Sequence, residues 1–137
     1  MKRNATAVWN GTGKEGTGNL TTQSTLLSNA QYSYKSRFEE GVGTNPEELV
    51  AAAHAGCFSM KLAFILNAAG FTADEIHTKC EVTLEDGSIT KSHLTVSAKV
   101  PGIDKATFDA SVEDAKINCP ISKSINATIT QTAKLLH

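Results

Sequence analysis

The side chains in this sequence that could do chemistry are three cysteines, Cys57, Cys80 and Cys119, with the charged and titratable residues placed around them. A thiol attacks as its thiolate, so the question for each is what would hold a negative sulfur at neutral pH. Cys57 lies in the small-residue stretch AAAHAGC, where Gly56 costs about 1 kcal/mol of helix propensity relative to Ala, so something there needs space. It reads either as a small buried hydrophobe, inert because burial raises its pKa, or as a nucleophile helped by a cation. His54, three residues earlier, shares its helix face, but such pairs rarely align for direct proton transfer. A packed, hydrogen-bonded imidazole is the plainer reading. Lys61, one turn later, either favours a thiolate or extends outward, and we read it as outward.

Cys119 precedes Pro120 and opens a short helix or turn, where free backbone N–H groups favour a thiolate; it could equally fill the turn. Cys80 alternates within a strand beside Lys79 and Glu81 and reads as structural. Arg37, at the end of the third strand before a Gly-rich loop, is either a solvated surface residue or a guanidinium that grips a carboxylate bidentately and lowers a neighbouring thiol pKa. Glu47 and Glu48 are accounted for by helix N-terminal electrostatics. A metal site from Cys57, His54 and Cys119 lacks the paired spacings typical of zinc.

The elements that must position these groups are legible. Thr6 to Trp9, Leu20 to Leu27 and Gln31 to Phe38 are runs of Thr, Val and aromatic residues between Gly- and Asn-rich breaks, and read as three antiparallel strands. PEELVAAAHAGCFSMKLAFILNAAG is a helix: Thr44 or Asn45 caps it, Pro46 suits its first turn and Gly70 stops it. From Pro46 to Ala69 it is 24 residues, about 36 Å, and apolar on nearly every side. One sheet covers one face only, so the rest is expected to pack on a second helix or a second subunit, which predicts a homodimer. Glu75 to Leu84 and Ile89 to Val100 form a hairpin around Asp86-Gly87. Asp104 caps a second long helix, CPISKSIN is a turn or short helix, and Ala127 to Leu135 is a last strand. The order βββ-α-ββ-α-β predicts an α+β fold, mainly antiparallel, with a long buried central helix.

At 137 residues and a formal charge of −1, the chain fits one domain over 1–137 and gives no electrostatic case for binding nucleic acid or an acidic membrane. Hydrophobic residues at 40% set disorder aside. No run is expected to reach the roughly 20 apolar residues of a membrane span, and the opening MKRNATAVWNG has no apolar stretch behind its cations; a cytoplasmic protein is expected. Three widely spaced cysteines do not make a disulfide framework.

Read in order, RFEEGVGTNPEELVAAAHAGCFSM, followed by NCPIS with its Cys 62 residues after Cys57, resembles the OsmC/Ohr family of thiol-dependent peroxidases, and more closely its OsmC branch. PGID-TF-A before the CP adds to the resemblance, which spans essentially the whole chain. It implies that Cys57 is the peroxidatic cysteine and Cys119 the resolving one, with Arg37 stabilising thiolate and peroxide and Glu47 orienting Arg37. It implies an organic hydroperoxide substrate and an external dithiol reductant of lipoyl-protein or thioredoxin type. It implies no metal, haem or flavin, and an intertwined homodimer in which the second subunit supplies part of each site. Ten residues of straight helix put Glu47 and Cys57 about 15 Å apart along the axis, so either the long side chain of Arg37 bridges most of that gap or the second subunit supplies part of each site, and we prefer the second. Phe38, Phe58, Met60 and Phe71 are candidates for an apolar wall selecting bulky hydroperoxides, or else for ordinary core. A stress-related binding module without turnover is the alternative.

Overall fold

The computed structural model describes all residues from Met1 to His137. The chain divides into two compact units, Met1–Leu49 and Val50–His137. The first holds a three-stranded antiparallel sheet of β1 (Ala5–Asn10), β2 (Thr17–Thr22) and β3 (Ala30–Tyr32), followed by a short helix α1 (Tyr34–Phe38). Gly18 of β2 pairs with both Trp9 and Tyr32, whose rings lie 5.3 Å apart over it. A Cβ there would stand 2.5 Å from the Trp9 ring and 2.6 Å from that of Tyr32, so only glycine admits this aromatic pair.

Two strand expectations fail here. The second strand stops at Thr22 instead of Leu27, because the chain turns back through Thr25 at φ 63°, with the Thr22 amide bonded to the Leu27 carbonyl. The third stops at Tyr32, and Arg37 stands on helix α1 rather than at a strand end. The cause is a capping box: Ser33 Oγ accepts from the Ser36 amide at 3.2 Å, and Ser36 Oγ accepts from the Ser33 amide at 2.8 Å. Tyr34 and Phe38, four residues apart with ring centroids at 5.0 Å, stack on one face of the turn.

Helix α2 (Pro46–Ala68) starts in the first unit and continues into the second. Asn45 caps it, its Oδ1 accepting from the Glu48 amide at 2.8 Å, and the chain leaves it through Gly70 at φ +92°, a left-handed conformation that favours glycine. The second unit adds β4 (Glu75–Glu85), β5 (Ser88–Lys99), α3 (Lys105–Asn118), α4 (Pro120–Ser124) and β6 (Thr128–Leu136) in a sheet of order β4-β5-β6. β4 and β5 are antiparallel, but β5 and β6 are parallel, because α3 and α4 return the chain to the same end of the sheet. The inward side chains of β5, Leu94, Val96 and Ala98, form one core with Phe58, Leu62 and Leu66 of α2 and Phe108, Val112 and Ala115 of α3.

Only one stripe of α2 is buried: His54, Phe58, Leu62 and Leu66, at a spacing of four residues. The other side carries an exposed ridge with Met60 64% and Phe64 65% exposed. The expected all-round burial is therefore not achieved within the chain, since the sheet and α3 offer one face. The sequence reading also erred on span length. Helix α2 is long and apolar enough by length and composition to cross a bilayer. Its buried stripe nevertheless packs in the core, as in the central helix of a globular protein.

Candidate active site

In the first unit the structure joins Arg37 to Glu47. Helix α1 presents the guanidinium, and the start of α2 presents the carboxylate. Arg37 donates from Nε at 2.9 Å and from Nη2 at 2.8 Å, both to Oε1 of Glu47. The grip is thus two donors on one oxygen rather than the expected two-on-two fork, and Glu47 Oε2 is buried without a partner. The Glu47 side chain is 13% exposed and that of Arg37 40%. The two acidic residues at the helix start, read alike from sequence, are separate in role. Glu48 belongs to the cap, its Oε2 accepting from Thr44 Oγ1 at 2.7 Å, while Glu47 holds the arginine. Ser36 fixes α1 to this corner: its hydroxyl donates to the Thr44 carbonyl at 2.8 Å, and its carbonyl accepts from the Asn45 amide group at 3.1 Å. The Arg37 guanidinium also lies 4.9 Å from the centre of the Phe38 ring. Both residues line a cleft of about 260 Å³ with Trp9, Tyr32 and Tyr34.

In the second unit the structure joins Cys57 to Cys119. Cys57 is half-buried on α2 and opens onto a cleft of about 430 Å³ lined by Gly56, Met60, Lys61, Phe64 and Pro120. The Cys119 thiol and the backbone N–H of Ile121, in the first turn of α4, lie near enough to act on its sulfur. Burial first of all pushes the Cys57 thiol up. The Ile121 N–H pulls it down, Cys119 pushes it up, and the Lys61 charge pulls it down. Lys61 therefore borders the cleft and acts on the sulfur instead of only extending outward. Cys119 is completely buried and caps α4, its Sγ accepting from the Ser122 amide at 3.3 Å. Of the free N–H groups expected for Cys119, that of Ser122 bonds to its sulfur, while that of Ile121 lowers the pKa of Cys57.

His54 is buried and bonded at both ring nitrogens, as the plainer reading had it: Nδ1 lies 2.6 Å from Ser92 Oγ and Nε2 2.8 Å from Ser122 Oγ. Burial lowers its pKa, which keeps the ring neutral. Cys80, expected to have no special surroundings, joins this group at 3.2 Å from Ser92 Oγ and 3.8 Å from His54 Nδ1, because its side of β4 faces the inward side of β5. Its thiol is pushed up, chiefly by burial.

Of the expected apolar wall only Met60 borders Cys57. Phe58 is fully buried, Phe71 packs against the core, and Phe38 lines the cleft of the other unit. Sequence reasoning missed Phe64, although Cys57, Met60 and Phe64 follow helical spacing along one ridge. It also missed Ser92 and Ser122, whose partners are tens of residues away along the chain.

A family model described as OsmC-like protein matches residues 39–134. The chain is 45% identical over 128 residues to a protein named peroxiredoxin OsmC from Escherichia coli, covering 90% of each. It is 30% identical over 102 residues to an organic hydroperoxide resistance protein of Xanthomonas axonopodis pv. citri, covering 69% of this chain and 68% of that one. Among solved structures, an OsmC-like protein from Mycoplasma pneumoniae superimposes with a TM-score of 0.78 at 12% identity, over 100% of this chain and 99% of that one, a likeness of fold.

Proposed function

The chain belongs to the OsmC family, and on that premise we propose that it is a thiol peroxidase that reduces organic hydroperoxides to alcohols. The observation that carries the reading is the placement of two thiols, Cys57 opening onto the apolar cleft and Cys119 near enough to act on its sulfur. The Cys57 thiolate attacks the terminal oxygen of the hydroperoxide, the O–O bond breaks, and the alkoxide leaves as an alcohol after taking a proton. Cys57 is left as a sulfenic acid. The Cys119 sulfur then attacks Cys57, the S–O bond breaks, water leaves, and a Cys57–Cys119 disulfide remains. Two electrons from an external dithiol, of lipoyl-protein or thioredoxin type, restore both thiols.

Arg37 is the cation proposed to favour the Cys57 thiolate and to hydrogen-bond the oxygen on which charge develops. Glu47 holds Arg37 in the orientation that this needs. Met60, Phe64 and Pro120 favour an alkyl or acyl-chain hydroperoxide over hydrogen peroxide, since they offer contact to carbon and no hydrogen bonds.

The exposed ridge of α2 supports the homodimer. The face left uncovered is the one onto which the Cys57 cleft opens, so a second copy lying there would roof the cleft and complete the site. On this reading residues 1–137 act as one functional domain, in the cytoplasm, without nucleic acid or membrane partners.

The test is peptide mass spectrometry after one equivalent of cumene hydroperoxide, on the parent and on Cys119→Ser. Rapid Cys57–Cys119 disulfide in the parent, with sulfenic or over-oxidised Cys57 in the variant, is the expected result. Three thiols that remain reduced would overturn the reading and leave a binding module of the same fold.

A further inference from the structure

Disulfide formation requires Cys119 to lose a proton, and Cys119 is completely buried, so that proton has no direct route to water. A hydrogen-bonded line of side chains leads away from it. Cys119 Sγ lies 3.2 Å from Ser122 Oγ, Ser122 Oγ lies 2.8 Å from His54 Nε2, and His54 Nδ1 lies 2.6 Å from Ser92 Oγ. Ser92 Oγ in turn lies 3.2 Å from Cys80 Sγ. All five groups belong to the second unit and sit beside its core.

We infer that this line is a proton relay serving the resolving step, in which His54 receives the Cys119 proton through Ser122. The inference rests on the two-cysteine reading above. In the direction required, the Cys119 S–H donates to Ser122 Oγ, the Ser122 O–H donates to Nε2, and Nδ1–H donates to Ser92. As the Cys119 sulfur attacks the sulfenic Cys57, its S–H bond breaks, the proton passes to Ser122, and the Ser122 proton passes to Nε2. The S–S bond forms and the S–O bond of Cys57 breaks. The expelled hydroxide takes up one proton and leaves as water, and His54 gives up the one it received, so His54 ends neutral and no proton is gained or lost.

The surroundings suit this assignment. A neutral imidazole has an open lone pair for the proton, and its burial is the reason it stays neutral. Ser92, accepting from Nδ1, fixes the tautomer in which Nε2 is the acceptor and stabilises the transient cation. The titratable groups facing His54 are Cys80 from β4 and, through Ser122, Cys119; Cys80 stays protonated because burial raises its pKa. Lys79 and Glu81 lie on the other face of β4, and His93 on the other face of β5, bonded to Thr130 and Thr132. None of these supplies a competing charge. Ser122 is the group that touches the reacting sulfur, and His54 acts through it.

The experiment separates the two chemical steps in rapid-mixing reactions with cumene hydroperoxide, following sulfenic acid by trapping and disulfide by quenched mass spectrometry, from pH 6 to 8. In the parent, disulfide formation is expected to vary little with pH. His54→Gln keeps hydrogen-bonding groups at both ends but cannot take a proton; Ser122→Ala breaks the line and leaves the half-exposed surface of α4 otherwise intact, which covers the case in which His54→Gln fails to fold. Both are expected to form sulfenic acid at the parent rate and to close the disulfide about 100-fold more slowly. The residual rate should rise about tenfold per pH unit, as hydroxide replaces the imidazole. Disulfide formation within twofold of the parent, or slowed with an unchanged pH profile, would overturn the relay. A parent that forms sulfenic acid and never the disulfide would instead overturn the two-cysteine reading.

Discussion

If Glu47 acts by holding Arg37, the two residues form one unit, and a double-mutant cycle must show it. Arg37 places two charge-assisted hydrogen bonds on one Glu47 oxygen, at 2.9 and 2.8 Å. Bonds of this kind contribute about 1.5–3 kcal/mol when shielded, and the 40% exposure of the arginine side chain argues for the low end. Glu47→Gln keeps an acceptor but loses the charge, so we expect kcat/KM for cumene hydroperoxide to fall by about 10–30-fold, at about 1.4 kcal/mol per factor of ten. Arg37→Lys removes the planar donor set that the developing oxyanion needs and should cost about 100-fold or more. The double variant is expected to be no slower than Arg37→Lys alone, since a displaced arginine and an absent one leave Glu47 with nothing to orient. Initial rates with dithiothreitol as reductant supply the four numbers. If the two losses multiply, so that the coupling falls below about 0.5 kcal/mol, Glu47 works independently of Arg37 and the reasoning fails.

Other outcomes follow from the same structure. Replacing Arg37 by Met should expose the thiol pKa that its own unit dictates: alkylation of Cys57 by iodoacetamide, read by peptide mass, should climb about tenfold per pH unit from 6 to 8 and stay unsaturated past the ordinary thiol value of about 8.5, because burial raises that pKa and less thiolate is present at any given pH. Saturation below that value in the variant would show that Arg37 is not the missing cation. Phe64→Glu places a charge on the exposed ridge of α2 and should convert a sedimenting dimer into a monomer with reduced peroxidase activity; an unchanged sedimentation coefficient would remove that ridge from the interface. Ser36→Ala leaves the Thr44 carbonyl without its 2.8 Å donor and breaks the capping box of α1. It should lower stability by about 1–2 kcal/mol in urea titration and weaken peroxidase activity through Arg37.

The sequence displayed some of this plainly and hid the rest, for physical reasons that differ by residue. Helix α2 was readable almost to the residue because Asn45, Pro46 and Gly70 are local signals, and local signals do not depend on tertiary contacts. The helix at Tyr34–Phe38 was misread as strand because Tyr, Phe and Ser suit both states. Two serines three apart decided it by capping each other, a bond too small to stand out in a pattern. The parallel pairing of β6 with β5 lay in connectivity rather than alternation, which is the same for either direction. The thiols followed the same division. Cys57 and Cys119 stood out through the motif they complete, whereas Cys80 is defined by Ser92 and His54, on other elements.

The electrostatics of Cys57 explain why a peroxidase built this way needs more than the residues around its sulfur. Within Val50–His137 the largest influence on that thiol is desolvation, and Cys119, the proposed resolving thiol, adds to it. The two opposing groups are one backbone N–H and one lysine at the edge of the cleft, and together they do not reverse the direction. The apolar cleft that suits a hydrophobic hydroperoxide and the neighbouring thiol proposed to close the cycle therefore both work against the reactive thiolate. A permanent cation is the remedy with the right chemistry. An arginine, charged at any physiological pH and held by a mostly buried carboxylate, is that cation in the proposed mechanism.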